Sequence, residues 1–313
     1  MADLSEKIPE SWPGQPARLC AERQIRMDLR VLNNFLAVAR EENFSRAASA
    51  IHISQPSLSR QIAELEEELG RKLFIRGARS LTLTAEGRLL QKRAQELLAL
   101  AEKTEEEIRA GSEEISGSIY IGAGETYGIH TITQAFRQFR DMYPDVFLHI
   151  SSGDRRDLGY QLDNGLIDMA VVFGDIDHSC YECIPLPYQD RMGVYVRRDS
   201  PLAEKKQIVP EKDLLDQPLI INRESGSELI HGVSLHLFRI AGTYNLLYNA
   251  SLMAEDGIGC VVGLEHIIHT EGTDLAFIPF EPVQPLRMSL IYKKFQIMPK
   301  HIALFIEKVK EMA

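Results

Sequence analysis

Residues 44–83 read FSRAASAIHISQPSLSRQIAELEEELGRKLFIRGARSLTL. Their apolar spacing and turn residues predict a short helix, a tight turn, a longer helix and a hairpin, which is the outline of a winged helix-turn-helix. We expect the short helix to begin at Ser45, whose hydroxyl can cap the next turn, and to place the small Ala47 and Ala48 inside. An apolar stripe with helical spacing predicts one more helix before this motif, at Leu29, Leu32, Phe35, Leu36 and Ala39.

The longer helix has clear signals at both ends. Ser54 is a good N-cap, and Pro56 falls in the first turn, where its missing N–H costs nothing. Gly70 is predicted to be the C-cap glycine. Between these ends one face is apolar and is predicted to point to the core; it consists of Leu58, Ile62, Leu65 and Leu69.

The opposite face of that helix is polar near its N-terminus, where it carries Gln55, Ser57, Ser59 and Arg60. A recognition helix enters the DNA major groove with its N-terminal residues at the base edges. Gln can bond adenine in two places, Arg can do the same with guanine, and hydroxyls reach phosphates or bases. The pattern therefore predicts binding to double-stranded DNA, and the alternative is the solvated face of an ordinary helix.

These residues resemble the LysR-type transcriptional regulators, and the resemblance runs from Met27 to the C-terminus. The motifs that carry it are MDLR (27–30), FLAVA (35–39), FSRAA (44–48), SQPSLSRQI (54–62), LE (65–66), LG (69–70), LF (73–74), Arg76 and LTAEG (83–87). The resemblance implies that helix 54–69 reads DNA and that the hairpin 74–83 is a wing. It implies a DNA-binding set that comprises Ser45, Ser54, Gln55, Pro56, Ser57, Ser59, Arg60, Arg76 and Arg79.

The net charge alone does not indicate a nucleic-acid-binding protein, because the 313-residue chain has a formal net charge of −10. The charges are segregated instead: bases lie near the tip of the predicted recognition helix and on the wing. The acidic residues at the distal end of that helix are Glu64, Glu66, Glu67 and Glu68. The interaction with DNA phosphates would therefore depend on where the positive side chains lie rather than on the net charge of the chain.

Other classes of protein are disfavoured. No apolar run reaches membrane-spanning length, no signal-peptide core appears near the start, and four cysteines suit a reducing compartment, so we expect a cytoplasmic protein. Cys180 and Cys183 leave open a redox switch or half a metal site, although reduced structural thiols are favoured. The nine histidines form no HExxH, and GxSxG and P-loop motifs are missing. The glycines at 122, 124 and 128 have GxGxxxG spacing, which differs from the GxGxxG of dinucleotide-binding sites. Since no catalytic, metal-binding or dinucleotide motif is found, we predict no enzyme, metal or cofactor.

The chain is expected to have two main domains and two connecting or terminal segments. Residues 1–26 are predicted to be a disordered extension; a natural start at Met27 and a genuine tail both remain open. Residues 27–84 form the DNA-binding domain and 85–111 a linker helix. That helix has no small-domain core to lie against, so its apolar stripe predicts pairing with the same helix of another subunit. The stripe consists of Leu89, Leu90, Leu97, Leu98, Leu100, Ala101 and Ile108.

From residue 117 onward, strands and helices alternate, which predicts a mostly parallel α/β domain. Strands are expected at 118–123, 147–151, 169–173, 191–197, 219–222, 258–262 and 288–293, with helices at 131–142, 157–164 and 301–310. The resemblance implies two subdomains similar to periplasmic binding proteins, subdomain I at 117–188 and 287–313 and subdomain II at 189–286. The chain is expected to cross between them near 187–190 and 280–286.

Ligands of open α/β sheets bind beyond the carboxyl ends of the strands. The predicted effector residues there are Gly124, Glu125, Thr126, Asp154, Phe173, Asn222 and Arg223. Thr126 matches the family's hydroxyl position, whereas Glu125 departs from its usual small or apolar residue. With Asp154 nearby, this favours an amine over a simple anion; alternatively, Glu125 caps the helix and faces solvent.

The combined prediction is a transcriptional regulator with an N-terminal winged helix-turn-helix, a long linker helix and a two-subdomain α/β effector domain. Its expected partners are a roughly palindromic double-stranded DNA operator, a small-molecule effector and further copies of the chain in a homodimer or homotetramer. A solute-binding module is the alternative from another class. It is disfavoured by the N-terminal DNA-binding motif.

Overall fold

The computed structural model describes residues 27–77, 81–109, 115–224, 229–230, 232–283, 285–296 and 298–313. The described residues form two compact units, which are divided between Ala99 and Leu100. The predicted N-terminal extension, the wing residue Arg79 and the predicted end of the linker helix at 110–111 lie outside the described residues.

The first unit has the predicted order of a helix, a helix-turn-helix, a hairpin and a long helix. Its elements are α1 (Leu29–Glu41), α2 (Phe44–Ala50), α3 (Gln55–Leu69), β1 (Phe74–Arg76), β2 (Leu81–Leu83) and α4 (Ala85–Arg109). Strands β1 and β2 pair antiparallel, with Phe74 opposite Leu83, so they form the expected wing hairpin. Helix α4 continues beyond residue 99 into the second unit.

The helix caps follow local chemistry, with one correction. The Ser54 hydroxyl accepts the N–H of Ser57 at 3.3 Å, and Gly70 ends α3 in the left-handed conformation with φ of 65°, as predicted. The prediction that Ser45 caps α2 is wrong. Asn43 is the cap, because its carboxamide oxygen accepts the N–H groups of Ser45 and Arg46 at 2.9 and 3.0 Å.

The core of this unit joins α1, α2, α3 and the base of the wing. Its fully buried members include Leu32, Phe35, Val38, Ala47, Leu58 and Ile62. Leu69 was expected in the core but is 40% exposed, since α3 ends there. The expectation that α4 has no core to lie against is also wrong for its first half. Ala94 is buried in this core, and Leu90 and Leu98 pack against it.

The second unit alternates strands and helices. Its strands are β3 (Gly117–Ala123), β4 (Val146–Ser152), β5 (Met169–Phe173), β6 (Tyr181–Arg197), β7 (Pro218–Asn222), β8 (Leu229–Ile230), β9 (Val233–Ser234), β10 (Arg239–Tyr244), β11 (Cys260–Leu264), β12 (Leu275–Pro279) and β13 (Pro285–Lys293). Its α-helices are α5 (Ile129–Met142), α6 (Arg155–Asp163), α7 (Pro210–Asp213), α8 (Leu247–Glu255) and α9 (Lys300–Lys310). Strands β8, β9, β10 and β12 and helices α7 and α8 were not predicted, and β6 begins ten residues earlier than the strand expected at 191–197.

The sheet is mixed rather than mostly parallel. The strand order is β10-β7-β11-β6-β13-β5-β3-β4, and β12 also pairs with β6. Strand β3 pairs parallel with β4 and β5, and β7 pairs parallel with β10 and β11. Strands β6 and β13 pair antiparallel with each other and with their other neighbours, because the chain runs out along one and back along the other.

The long strand β6 joins two separate cores. Its first part pairs with β13, and its last residues, Met192 to Arg197, pair with β11 and β12. One core contains Ile119, Phe139, Val171 and Phe305, and the other contains Val194, Leu219, Val262 and Phe280. The carboxyl ends of β3 and β7 therefore belong to different halves of the unit, and the residues that follow them are candidates to line a cleft.

Candidate DNA-reading helix and effector cleft

The N-terminal turns of α3 present polar side chains on one face. Gln55, Ser57 and Arg60 are exposed, and Ser59 is half-buried. The Gln55 Nε2 donates to Ser59 Oγ at 3.0 Å, and the Arg60 Nε donates to Glu64 Oε1 at 2.8 Å. Because Leu58 and Ile62 on the other face are fully buried, the polar face is held in one orientation on a packed core.

Glu66 connects α3 to the wing, a role that the sequence pattern does not reveal. The pattern groups it with the solvated acidic end of the helix, but it is only 6% exposed. Its Oε1 accepts the N–H groups of Leu73 and Phe74 at 2.8 and 3.3 Å, and its Oε2 accepts Lys72 Nζ at 2.6 Å. Burial alone would raise the pKa of Glu66, but these hydrogen bonds outweigh burial and lower it.

The remaining predicted DNA contacts lie close to α3 in the chain. Ser54 and Pro56 are exposed at the start of α3, and Ser45 is exposed in the first turn of α2. Arg76 is the last residue of β1, opposite Leu81 of β2, and therefore lies at the wing. Helix α4 leaves Leu89, Leu97, Leu100 and Ile108 exposed. At about 100° per residue, these four positions fall within one sector of roughly 100°.

In the second unit, Glu125 makes a bond between the two halves. It follows β3, and its Oε2 accepts the N–H of Leu247, the first residue of α8, at 2.5 Å. The N-cap position of α8 is Leu246, whose side chain cannot cap. Glu125 therefore supplies the missing cap from the opposite half, and it does not simply face solvent beside its own helix.

Thr126 is buried and bonds Asp190, a residue outside the predicted effector set. The Thr126 Oγ1 donates to Asp190 Oδ2 at 2.5 Å and accepts the N–H of Gly128 at 3.0 Å. Asp190 is completely buried on β6. Burial raises the pKa of Asp190, against the lowering effect of the Thr126 hydroxyl and the Tyr127 N–H. The signal in the sequence is a lone acid within the predicted crossing at 187–190.

Aromatic rings surround this pair. Tyr127 contacts His130, Tyr188 and His266, with ring centroids 4.6, 5.0 and 5.2 Å apart. Burial, and then the negative charges of the nearby Asp190 and Glu265, raise the pKa of Tyr188. Glu265 is held by the guanidinium of Arg191, whose Nε and Nη2 donate to it at 2.6 and 2.8 Å.

A second group of predicted effector residues lies at the N-terminus of α6. Asp154 caps that helix by accepting the N–H of Asp157 at 2.7 Å, and it lies 3.7 Å from Arg223. Glu224 accepts the N–H of Arg155 at 3.1 Å. An open cavity of 440 Å³ lies here and is lined by Asp154, Arg156, Asp157, Arg223 and Glu224. Burial and the nearby carboxylate of Asp154 raise the pKa of Glu224.

The other three predicted residues lie at the same edge of the strands. Asn222 ends β7, and its Oδ1 accepts the N–H of Glu224 at 2.8 Å. Phe173 ends β5, and its carbonyl accepts Arg155 Nη1 at 3.1 Å. A Cβ atom on Gly124 would lie 3.6 Å from the Phe173 ring. The predicted effector residues therefore form two adjoining groups, one around Glu125 and one around Asp154.

Two family models cover most of the chain. Residues 29–88 match the bacterial regulatory helix-turn-helix protein, lysR family, and residues 112–313 match the LysR substrate binding domain. The chain belongs to the LysR family of transcriptional regulators. As a LysR regulator it combines a DNA-binding helix-turn-helix with an effector-binding domain, and its family consists of regulators rather than enzymes.

Individual relatives of this LysR regulator agree with the family models. A probable RuBisCO transcriptional regulator of Cyanophora paradoxa is 29% identical over 74% of this chain and 73% of its own length. A protein of the same description from Synechocystis sp. is 31% identical over 58% of this chain and 53% of its own length. The full-length structure of CbnR with its target DNA matches with a TM-score of 0.70 and 22% identity, covering 92% of this chain and all of CbnR. That structural likeness supports the fold.

The two cysteines of the CxxC sequence are poorly placed for a redox switch. Cys180 precedes β6 and Cys183 lies within it, opposite Ile291, so extended chain separates their Cα atoms by about 10 Å. A disulfide needs less than about 7 Å, so this strand is incompatible with one between them. None of the helices within the described ranges is both long and apolar enough to cross a lipid bilayer.

Proposed function

We propose that this LysR regulator reads its operator with the exposed N-terminal face of α3. The contacts would come from Ser45, Ser54, Gln55, Pro56, Ser57, Ser59 and Arg60, with Arg76 and Arg79 on the wing. The observation that carries the proposal is the division of α3 into a fully buried apolar face and an exposed polar one. The buried bond from Glu66 to the start of β1 would hold the wing at a fixed angle to α3.

We further propose the following division of labour. Residues 27–84 bind DNA, residues 85–111 pair with the same segment of a second subunit, and residues 117–313 bind the effector. The four exposed apolar side chains of α4 form the stripe that would be buried by pairing. A dimer would place two α3 helices about 34 Å apart, so the operator would be roughly palindromic. Association of two dimers would give a homotetramer.

The effector would bind between subdomain I (117–188 and 287–313) and subdomain II (189–286). Its proposed contacts are Gly124, Glu125, Thr126, Asp154, Phe173, Asn222 and Arg223. An effector that makes different contacts in the open and closed cleft would shift the balance between the two states. Because the regulator acts on chromosomal DNA, we place it in the cytoplasm.

The α3 proposal is tested by measuring the affinity of variants for operator and random DNA. Gln55→Ala should lose about 1–3 kcal/mol of binding free energy on the operator and little on random DNA, because a base contact carries the sequence information. Arg76→Ala should weaken binding to both DNAs alike. It should also reduce the slope of log affinity against log salt concentration by about one. Glu67→Gln, at the exposed distal end of α3, is the control. Equal losses on both DNAs for Gln55→Ala would remove Gln55 from direct readout.

A further inference from the structure

The charge in the cleft is unusual for a site that would hold an anion. Two carboxylates, Asp190 and Glu265, lie beside the Tyr188 ring, and a third, Glu125, lies at the N-terminus of α8. Arg191 forms a two-pronged ion pair with Glu265, with both N–O distances below 3 Å. Arg191 is therefore already paired, and no cationic side chain among the described residues is bonded to Glu125 or Asp190. The basic side chain near Asp190 is His266, which lies 3.8 Å from Glu265 and forms no bond to Asp190.

The groups that would hold an anion in this part of the cleft are already engaged. A helix N-terminus attracts anions through its free N–H groups, but the first N–H of α8 donates to Glu125. The Thr126 hydroxyl is directed at Asp190 and therefore donates to a carboxylate of the protein. An incoming carboxylate or phosphate would be repelled here by the negative side chains of Glu125 and Asp190.

Asp190 has an unused acceptor. Its Oδ2 accepts from Thr126, but its Oδ1 is buried and completes no hydrogen bond among the described residues, although the nearby Tyr127 N–H helps to lower the pKa of this carboxyl. A buried acceptor without a partner is costly, and such groups in native proteins are usually satisfied by something absent from the bare chain. A donor on a bound molecule would satisfy Oδ1, and a positively charged donor would do so most strongly.

The neighbouring rings favour the same kind of ligand. The faces of tyrosine rings attract cations, and Tyr127 and Tyr188 lie with their centroids 5.0 Å apart beside Asp190. Tyr127 is 39% exposed, so part of this ring surface is open to a ligand. The site thus combines a carboxylate with a free lone pair, aromatic surface and an excess of negative charge.

We propose that the cleft binds its effector through a protonated amine, held between Asp190 Oδ1 and the rings of Tyr127 and Tyr188. This proposal rests on the proposed effector site and names the chemical class of ligand for it. Because Asp190 is fully buried, the amine reaches it only when the two halves part, which breaks the bond from Leu247 to Glu125. Amine binding at Asp190 is therefore coupled to the geometry of the cleft.

Three four-carbon probes separate the ligand classes in calorimetric titrations of the full chain. Putrescine carries two ammonium groups, succinate two carboxylates and 1,4-butanediol two hydroxyls. We expect putrescine to bind at millimolar concentration and the other two to bind at least about tenfold more weakly. Asp190→Asn keeps the shape of the side chain and removes its charge, so it should weaken putrescine binding by about tenfold or more. Asp216→Asn, at an exposed turn of subdomain II, should leave putrescine binding unchanged.

The ring contribution has its own pair of variants. Tyr127→Phe keeps the ring face and should bind putrescine like the parent chain, whereas Tyr127→Leu should weaken it several-fold. The proposal is overturned if putrescine does not bind, if succinate binds more tightly, or if Asp190→Asn leaves putrescine affinity unchanged. Operator binding of every protein, measured without ligand, is the separate check on the regulator function. Retained DNA binding with failed putrescine binding would reject only the amine site.

Discussion

Lys103 and Asp168 form a buried ion pair, with Nζ 2.6 Å from Oδ1 and side chains that are 10% and 4% exposed. The second oxygen of Asp168 accepts the N–H of Tyr120 at 2.7 Å, and Lys103 also donates to the carbonyl of Gly165 at 3.0 Å. Lys103 belongs to α4, and Asp168 immediately precedes β5. The pair therefore fixes the last turns of the linker helix to the sheet of subdomain I.

Replacing Lys103 with Met should destabilise the effector-domain unit by about 3–5 kcal/mol, because it leaves the carboxylate of Asp168 buried and unpaired. Denaturant unfolding followed by circular dichroism gives the free energy. Glu311→Gln breaks the exposed pair with Lys308 and is the control, with an expected loss of at most about 1 kcal/mol. Similar small losses for both variants would show that the Lys103 pair contributes no more than a surface pair.

Glu66→Ala should lower the free energy of unfolding of the DNA-binding unit by about 1–3 kcal/mol, because two N–H groups lose their buried acceptor. It should also weaken DNA binding, since the base of the wing is no longer fixed to α3. Glu67→Gln, which changes an exposed neighbour, should stay within about 0.5 kcal/mol. Unchanged stability and affinity in Glu66→Ala would contradict the role given to this carboxylate.

The exposed stripe of α4 predicts self-association. A double change, Leu89→Glu with Leu97→Glu, places two charges in the stripe and should shift the chain toward monomer in sedimentation experiments. Operator affinity should fall with it, because two half-sites are no longer bound together. Leu237→Glu, at an exposed leucine of the second unit, is the matched control. A double variant that keeps its oligomeric state would exclude this stripe as the dimer interface.

Asp190 makes a prediction about pH. Burial raises its pKa above the ordinary value of 3.8, so the folded chain binds this proton more tightly than the unfolded chain. The contribution of Asp190 to stability therefore falls as pH rises through the interval between the ordinary and the raised pKa. Asp190→Asn has no such proton, so its stability relative to the parent chain should rise as pH increases through that interval above 3.8. A pH-independent difference would show that the buried charge carries no penalty.

The DNA-binding unit is largely predictable because its signals are local. Ser54, Pro56 and Gly70 act within one or two turns of their own positions, and the structure places them as predicted. The local signals fail where two nearby residues can serve as the same cap. Asn43 and Ser45 are both good N-caps, and the sequence alone does not show which of them caps α2. Local signals also fail at Glu66, because its burial depends on the chain after Gly70 folding back to place Leu73 and Phe74 against it.

The cleft is less predictable because its bonds join distant parts of the chain. Glu125 and Leu247 are 122 residues apart, and Thr126 and Asp190 are 64 apart. Strand ends can be located from buried runs such as Met169–Phe173, which matched. The partner of each strand-end side chain depends on the packing of two subdomains. The sequence marks Glu125 as unusual, but its role as the cap of α8 required the fold.

The most direct test of the regulator account is binding of the purified chain to the DNA upstream of its own gene, compared with scrambled DNA of the same length at two salt concentrations. The account predicts preferential binding to the natural sequence, and affinity for both DNAs that falls as salt rises because phosphate contacts release counterions. A chain that binds neither DNA at either salt concentration would contradict it.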